Sequence, residues 1–286
     1  MHMDNSTNKI KLYYADIPNM GDRLNKLIVE ELFHCKVVRH TYLTGEVSGI
    51  GSGLGQFTLH GNAVMRVCEK IMGYLFPNVS IWGSGFYYYS KVDEPFYRKN
   101  IRFCAVRGEL SRKRVIKLLG HNEDILTADA GILAPCLIKE PIIKKYDIGI
   151  IPHMNEMRYE KDYFVRLAGE YPNSILINVE DDCMTVIKQI SQCKAVLSSS
   201  LHGLIVADGF HIPNRHIYVT DRLGGDGFKF DDYYSAYGME HEFTNLNTQK
   251  IPSLEEIMQW YKVPEVLVEE KKKALIECFP KKEQIS

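Results

Sequence analysis

Residues 194–210 read KAVLSSSLHGLIVADGF. An apolar run, Ala195-Val196-Leu197, ends in three hydroxyls, Ser198, Ser199 and Ser200. Leu201, His202 and Gly203 follow and lead into a second apolar run. A buried strand handing over to a buried helix is the repeating unit of a parallel sheet. In open parallel sheets ligands sit outside the carboxyl ends of the strands. A helix start offers free N–H groups and the positive end of the helix dipole, which together hold anions. Serine hydroxyls add donors there, and a histidine can donate to an anion or move a proton near neutral pH. The stretch therefore reads as a cradle for phosphate or carboxylate. The competing reading is that one serine caps the helix and His202 packs under the sheet.

The same alternation extends in both directions. KIKLYYA (9–15) and CKVVRHTY (35–42) read as strands around a helix over 23–33, whose apolar residues recur at Leu24, Leu27, Ile28, Leu32 and Phe33. GEVSGIGSGLGQ (45–56) is a glycine-rich loop, and residues 79–82 form a strand that enters WGSGF. IRFCAVRG is a strand, and ELSRKRVIKLLG a helix with Gly120 as its stop. After KEPIIKKY (139–146), a charged segment that reads as a linker, the pattern restarts. DIGIIPH, SILINV, KAVLSSS and RHIYV are strands, and residues 156–171, DCMTVIKQISQC and LHGLIVADGF are helices. The expected fold is α/β, with two Rossmann-like domains facing a cleft. The boundaries are 1–140 and 141–250, with two helices broken near Pro264 filling 251–286.

Composition narrows the function. Of 286 residues, 45% are hydrophobic and 25% charged, ordinary globular material. The net charge of -1 provides no field for nucleic acid. Seven scattered cysteines without a CxxC pair suit reduced thiols in a cytoplasmic protein. The polar N-terminus lacks the apolar core of a signal peptide, and no apolar run approaches the length of a membrane span. Peripheral contact with the inner membrane face stays open.

Other strand-to-helix junctions carry candidate groups. In NMGDRLN (19–25), Gly21 permits close backbone approach, Asn25 lies on the helix, and Asp22 either caps the helix or accepts a substrate hydroxyl. WGSGF places Gly83 and Ser84 after a strand, as a ligand loop or a tight turn. AVRGELSRK puts Arg107 at a strand end, where a guanidinium suits a bidentate anion clamp or an ion pair. Asp129 in TADAGILAP bonds turn amides. His153 follows the first strand of the second half, lining the cleft or serving structure. GGDGFKFDDYYSAYG (224–238) either closes over a sugar or carries a small packed helix. Phosphate-loop, dinucleotide-loop and zinc-protease motifs and the GxSxG elbow are absent, and histidines and cysteines show no metal spacing.

In this order along residues 10–240, NMGDRLN, WGSGF, AVRGELSRK, TADAGILAP, DIGIIPHMNE and SSSLHGLIVADGFHIPN resemble the polysaccharide pyruvyl transferase family. The resemblance implies a fold similar to the GT-B glycosyltransferases. It also implies transfer of a carboxyethylidene group from phosphoenolpyruvate to two hydroxyls of a sugar, with release of phosphate and without cofactor or metal. The acceptor would be a cell-surface saccharide or its lipid-linked precursor, held by the first domain, with phosphoenolpyruvate on the second. In the family, the segment matching Leu201-His202 contacts the donor, so His202 becomes the expected acid or phosphate ligand and Arg107 the expected clamp. Many relatives have arginine where this chain has Ser200, and Arg222 or Lys229 are the cations placed to replace it. Asp16 and Asp22 are the acids positioned to deprotonate the sugar. The alternatives are a nucleotide-sugar glycosyltransferase and a non-catalytic carbohydrate-binding relative.

Overall fold

The computed structural model describes residues 9–15, 17–89 and 93–280. The first half contains β1 (Lys9–Tyr13), α1 (Met20–Phe33), β2 (Lys36–His40), β3 (Val47–Ser48), α2 (Ala63–Leu75), β4 (Val79–Ser84), β5 (Ile101–Val106), α3 (Glu109–Leu119) and β6 (Leu126–Thr127). Short 3₁₀ segments, Leu54–Phe57 and Ala130–Leu137, complete it. The second half contains β7 (Tyr146–Ile151), α4 (Met154–Tyr159), α5 (Lys161–Gly169), β8 (Ser174–Leu176), α6 (Cys183–Ser191), β9 (Cys193–Ser198), α7 (Leu201–Gly209), β10 (Asn214–Tyr218), α8 (Phe228–Ser235) and β11 (Phe243–Asn245). Two more helices, α9 (Leu254–Trp260) and α10 (Glu265–Glu277), end the described chain on either side of Pro264.

Each half is built on a parallel sheet. The first has strand order β2-β1-β3-β4-β5-β6 and the second β8-β7-β9-β10-β11. Both follow the same doubly wound 2-1-3-4-5 pattern. The chain reverses direction between β1 and β3 in one sheet and between β7 and β9 in the other. Such switch points open a crevice at the strand ends.

Local chemistry explains the boundaries. Asn19 caps α1 by accepting from the Gly21 amide at 2.9 Å, so the helix starts three residues earlier than its apolar spacing suggests. Asp22 is therefore inside the first turn and is not the cap. Gly120 stops α3 at φ 76°, a left-handed conformation that glycine adopts without strain. The helix expected over 156–171 is two helices, α4 and α5, interrupted at Glu160.

The two halves share one core. Leu24 and Ile28 of α1, Ile132 and Leu133 of the second 3₁₀ segment, Ile187 of α6 and Leu204 and Ile205 of α7 belong to the same buried apolar cluster. At Gly209 a Cβ would stand 2.6 Å from the Ile132 carbonyl oxygen, so only glycine lets α7 lie this close. The C-terminal helices divide between the halves. Helix α9 packs on β9 and β10, whereas α10 crosses back to β6. There the Leu275 carbonyl accepts from Trp82 Nε1 at 2.9 Å, and Phe279 stacks on Phe33 with ring centres 3.7 Å apart.

Phe279 thus belongs to the core of the first half although it lies at the far end of the chain. Phe279→Ala is expected to lower unfolding free energy by about 3 kcal/mol, the range for truncating a buried aromatic. Urea denaturation checks this, and a loss under about 0.5 kcal/mol, the scale of surface changes, would show that α10 does not hold the first sheet.

Candidate active site

A cleft of about 690 Å³ lies between the two switch points. From the first half it is lined by Tyr13 and Ser48 at the ends of β1 and β3, by Asp22 of α1, and by the glycine-rich loop from Ile50 to Gly55. From the second half come His153 after β7, Ser200, Leu201 and His202 after β9, and Lys229 of α8.

The three serines have three different tasks. Ser198 Oγ donates within its own turn, to the Ser200 carbonyl at 2.8 Å, and accepts from the Ser200 amide at 3.0 Å. Ser199 Oγ accepts from the His153 amide at 2.9 Å and donates to buried Glu156. These two fix the turn and do not line the cleft. Ser200, the residue before α7, makes no capping bond with its side chain, and it does face the cleft. The N–H groups of Leu201, His202 and Gly203 open α7 without intrahelical acceptors. Gly203 itself packs away from the cleft, where a Cβ would meet Ser198 Oγ at 2.5 Å.

His202 lies against α1. A Cβ on Gly21 would stand 2.0 Å from His202 Nδ1, so glycine at 21 makes room for the ring. His202 Nε2 is buried without a hydrogen-bond partner. Burial, reinforced by the charges of Arg107 and Lys229, pushes its pKa down to about 3, so the ring is neutral in the empty cleft. His153 is lowered to about 4, first by burial and then by Lys229, and its Nδ1 accepts from the Asn155 amide at 3.3 Å. Burial alone pushes the Asp22 carboxyl up to about 7, which divides it between acid and carboxylate near neutrality. Asp16 lies outside the described residues.

Arg107 is not on the cleft surface. It is fully buried, and its Nε donates to Asp232 Oδ2 of α8 at 3.0 Å. One terminal nitrogen donates to Ser52 Oγ at 2.9 Å and the other to the Phe86 carbonyl. Asp232 also accepts from the Ser111 amide at 2.7 Å and the Ser111 hydroxyl at 2.6 Å. The expected anion clamp is instead a buried ion pair that ties three loops and α8 together. Asn25 acts similarly on the other wall, accepting from the Ile50 amide at 2.7 Å and donating to the Ile50 carbonyl at 3.0 Å. Ser84 Oγ lines the cleft and accepts from the Gly53 amide at 3.1 Å. Gly83, at φ 92°, packs on Ala130 beneath it.

Among the described residues, the lysine or arginine that lines the cleft is Lys229. It is 7% exposed and has no carboxylate partner among the described residues. Its ammonium stands 5.6 Å from the Tyr87 ring centre and 5.2 Å from that of Phe230. Burial, then the Arg107 charge, lowers its pKa to about 8. Arg222 is turned outward and pairs with Glu160 at 3.1 Å. Lys229 is one of the two cations the sequence offered in place of the relatives' arginine, whereas Tyr13 and the glycine loop that line the same cleft are not singled out by the sequence as site residues. The glycine-rich composition of residues 49–55 was the available signal for the loop.

The family model of polysaccharide pyruvyl transferases matches residues 74–221, which include Arg107, His153 and the Ser198–Gly203 turn. The chain belongs to the polysaccharide pyruvyl transferase family. An uncharacterised protein, L143, of Acanthamoeba polyphaga mimivirus is 30% identical over 239 residues, covering 80% of this chain and 75% of that protein. The succinoglycan biosynthesis protein ExoV of Rhizobium meliloti is 24% identical over 243 residues, covering 81% of this chain and 66% of ExoV. A solved structure of an uncharacterised Klebsiella pneumoniae protein aligns at 14% identity and a TM-score of 0.44, over 84% of this chain and 93% of that one.

Removing one member of a buried ion pair leaves the other charged and unpaired. Asp232→Asn is therefore expected to lower unfolding free energy by about 3 kcal/mol, measured by urea denaturation. A change within about 0.5 kcal/mol would show that the Arg107–Asp232 pair does not hold the cleft walls.

Proposed function

We propose that this chain transfers a carboxyethylidene group from phosphoenolpyruvate to two hydroxyls of a saccharide, forming a ketal and releasing phosphate. The observation that carries the proposal is Lys229, a buried cation without a carboxylate partner among the described residues, in one cleft with Ser200, His202 and the start of α7. Burial makes holding an unpaired ammonium costly, so such a cation favours an incoming counter-charge. Phosphoenolpyruvate brings a phosphate and a carboxylate. In this reading Lys229 supplies the positive charge that many relatives place at the position of Ser200. The layout is GT-B-like in the sense that the donor lies on the second half and the acceptor on the first.

The reaction needs a proton on the methylene carbon of phosphoenolpyruvate. The resulting electrophilic carbon accepts the first sugar hydroxyl, whose proton leaves to a base. The second hydroxyl then displaces phosphate, which departs with the second proton. Asp22, titrating near neutrality, is suited to give its proton to the methylene carbon and to take one back from the first sugar hydroxyl. Neutral His202 is suited to hydrogen-bond the donor anion, whose charge raises the affinity of the ring for a proton as it binds. Tyr13 and the glycine loop provide an aromatic face and close backbone approach for the sugar.

The first test is thermal stability with phosphoenolpyruvate, against inorganic phosphate and uridine diphosphate. Saturable stabilisation by phosphoenolpyruvate is expected, and it should be lost in Lys229→Met. Stabilisation by uridine diphosphate alone would transfer the assignment to a nucleotide-sugar glycosyltransferase.

Lys229 is charged below its pKa of about 8 and loses its proton above it. Donor affinity should therefore fall as the pH rises through that value, approaching roughly tenfold per unit beyond it, and Lys229→Met should remove the dependence. A binding isotherm series at increasing pH measures this, and equal slopes in the two proteins would reject the lysine. His202→Ala is expected to lower kcat by about 100-fold or more with an unchanged unfolding midpoint, measured as phosphate release with an acceptor saccharide. Near-wild-type turnover would remove His202 from the mechanism.

A further inference from the structure

Helix α2 is an amphipathic helix turned inside out. At about 100° per residue, Val64, Val67, Ile71, Met72, Tyr74 and Leu75 fall in one arc, all exposed, with Val64 at 72% and Leu75 at 73%. With Met65 at one edge, that arc spans roughly 180–200° of the helix. Its polar side faces the protein. Arg66 pairs with Glu94, with one guanidinium nitrogen 2.8 Å from Oε1. Glu69 accepts from the His60 amide at 2.8 Å. Gly73 is the buried residue of the helix and lies on the backbone at Tyr97. Soluble helices bury the apolar stripe and expose the charges, so the outer face of α2 calls for an apolar covering.

We propose that α2 docks this chain on an anionic lipid surface and so presents the cleft to a lipid-linked saccharide acceptor. The acceptor class rests on the pyruvyl transfer reading; the docking face does not. Three observations favour lipid over a second copy. A helix packing on its twin covers a stripe about 100° wide, roughly half of this arc. That leaves on the order of 400 Å² buried per partner, below the ~800 Å² of a stable pair. A helix lying in a bilayer boundary covers its whole apolar face. Charge agrees with this, because Lys70, beside the apolar arc, and Lys99, following the segment on which Gly73 packs, are exposed and have no carboxylate partner among the described residues, whereas Glu69 and Glu94 are paired. Position agrees too. Thr58 and His60 line the cleft, and Asn62 caps α2 through the Met65 amide at 3.1 Å, so the helix begins at the cleft mouth. Among the described residues no helix is long and apolar enough to cross a membrane.

The test is co-sedimentation of the full chain with vesicles of phosphatidylcholine alone and of phosphatidylcholine mixed with phosphatidylglycerol. Wild type should bind the anionic mixture, and the double variant Ile71→Glu, Leu75→Glu should bind at least about tenfold more weakly. Both substituted residues are exposed, so the unfolding midpoint and the stabilisation by phosphoenolpyruvate should stay unchanged. Lys70→Gln should weaken binding to the anionic mixture and leave the weaker binding to phosphatidylcholine as it was. Wild type remaining in the supernatant, or the double variant sedimenting like wild type, would overturn the proposal. So would a wild-type dimer, seen by light scattering without vesicles, that the double variant converts to monomers. Vesicle binding without any stabilisation by phosphoenolpyruvate would uphold the docking face and reject the donor reading instead.

Discussion

The ion pair between Arg107 and Asp232 joins residues 125 positions apart in the chain, and both side chains are fully buried. In water such a pair is worth little; in a dry interior each charge requires the other. The pair is the hub of a hydrogen-bonded cluster. Through Ser52 it holds the glycine loop, through the Phe86 carbonyl the loop after β4, and through Ser111 the start of α3. Asp232 lies three residues after Lys229 on α8, so the same pair sets where the cleft cation stands. Arg107 is thus a positioning residue whose charge also acts at a distance, lowering the pKa of Lys229 and of His202.

The cleft favours the uncharged form of its own groups while it is empty. Burial pushes His202 and Lys229 down and Asp22 up, each toward its neutral form. A ligand carrying two anionic groups reverses that preference on the cationic side. Binding and proton affinity then become one coupled event, and the low-dielectric walls strengthen every charge that enters. Among the described residues, Asp22 is the carboxyl of this lining whose protonation is divided near neutrality, on the opposite wall from Lys229. The outward apolar face of α2 extends the same logic to the surface: its charges are used inward, to hold the cleft-lining segment at His60, and its apolar side is left for a lipid boundary.

The alternation of apolar runs determined the α/β class and the restart of the pattern after the charged segment at 139–146, because a strand or helix that must be buried announces itself by period and length. The same local reading located the turn at Ser198–Gly203 and the stop at Gly120, and the ordered motifs determined the family. It did not find α2, whose amphipathic period is clear in retrospect but leads outward. It left Asp22 open between capping α1 and meeting a substrate, because Asn19 and Asp22 are both capping residue types and only backbone geometry gives the cap to Asn19.

Tertiary structure alone decided which candidates meet. Ser198, Ser199 and Ser200 are neighbours in sequence, yet only Ser200 reaches the cleft, since the other two hydroxyls satisfy buried partners. Arg107 reads as an anion clamp or an ion pair until Asp232 arrives from the other half and settles it as a buried pair. Lys229 and Arg222 read as equal candidates for the missing cation until the burial of Lys229 at the cleft and the outward pairing of Arg222 with Glu160 are visible. Local propensity and burial periodicity are properties of a few consecutive residues, so the sequence carries them by itself. Ion pairing, desolvation and the lining of a cleft depend on residues more than a hundred positions apart, and only the packed fold brings those together.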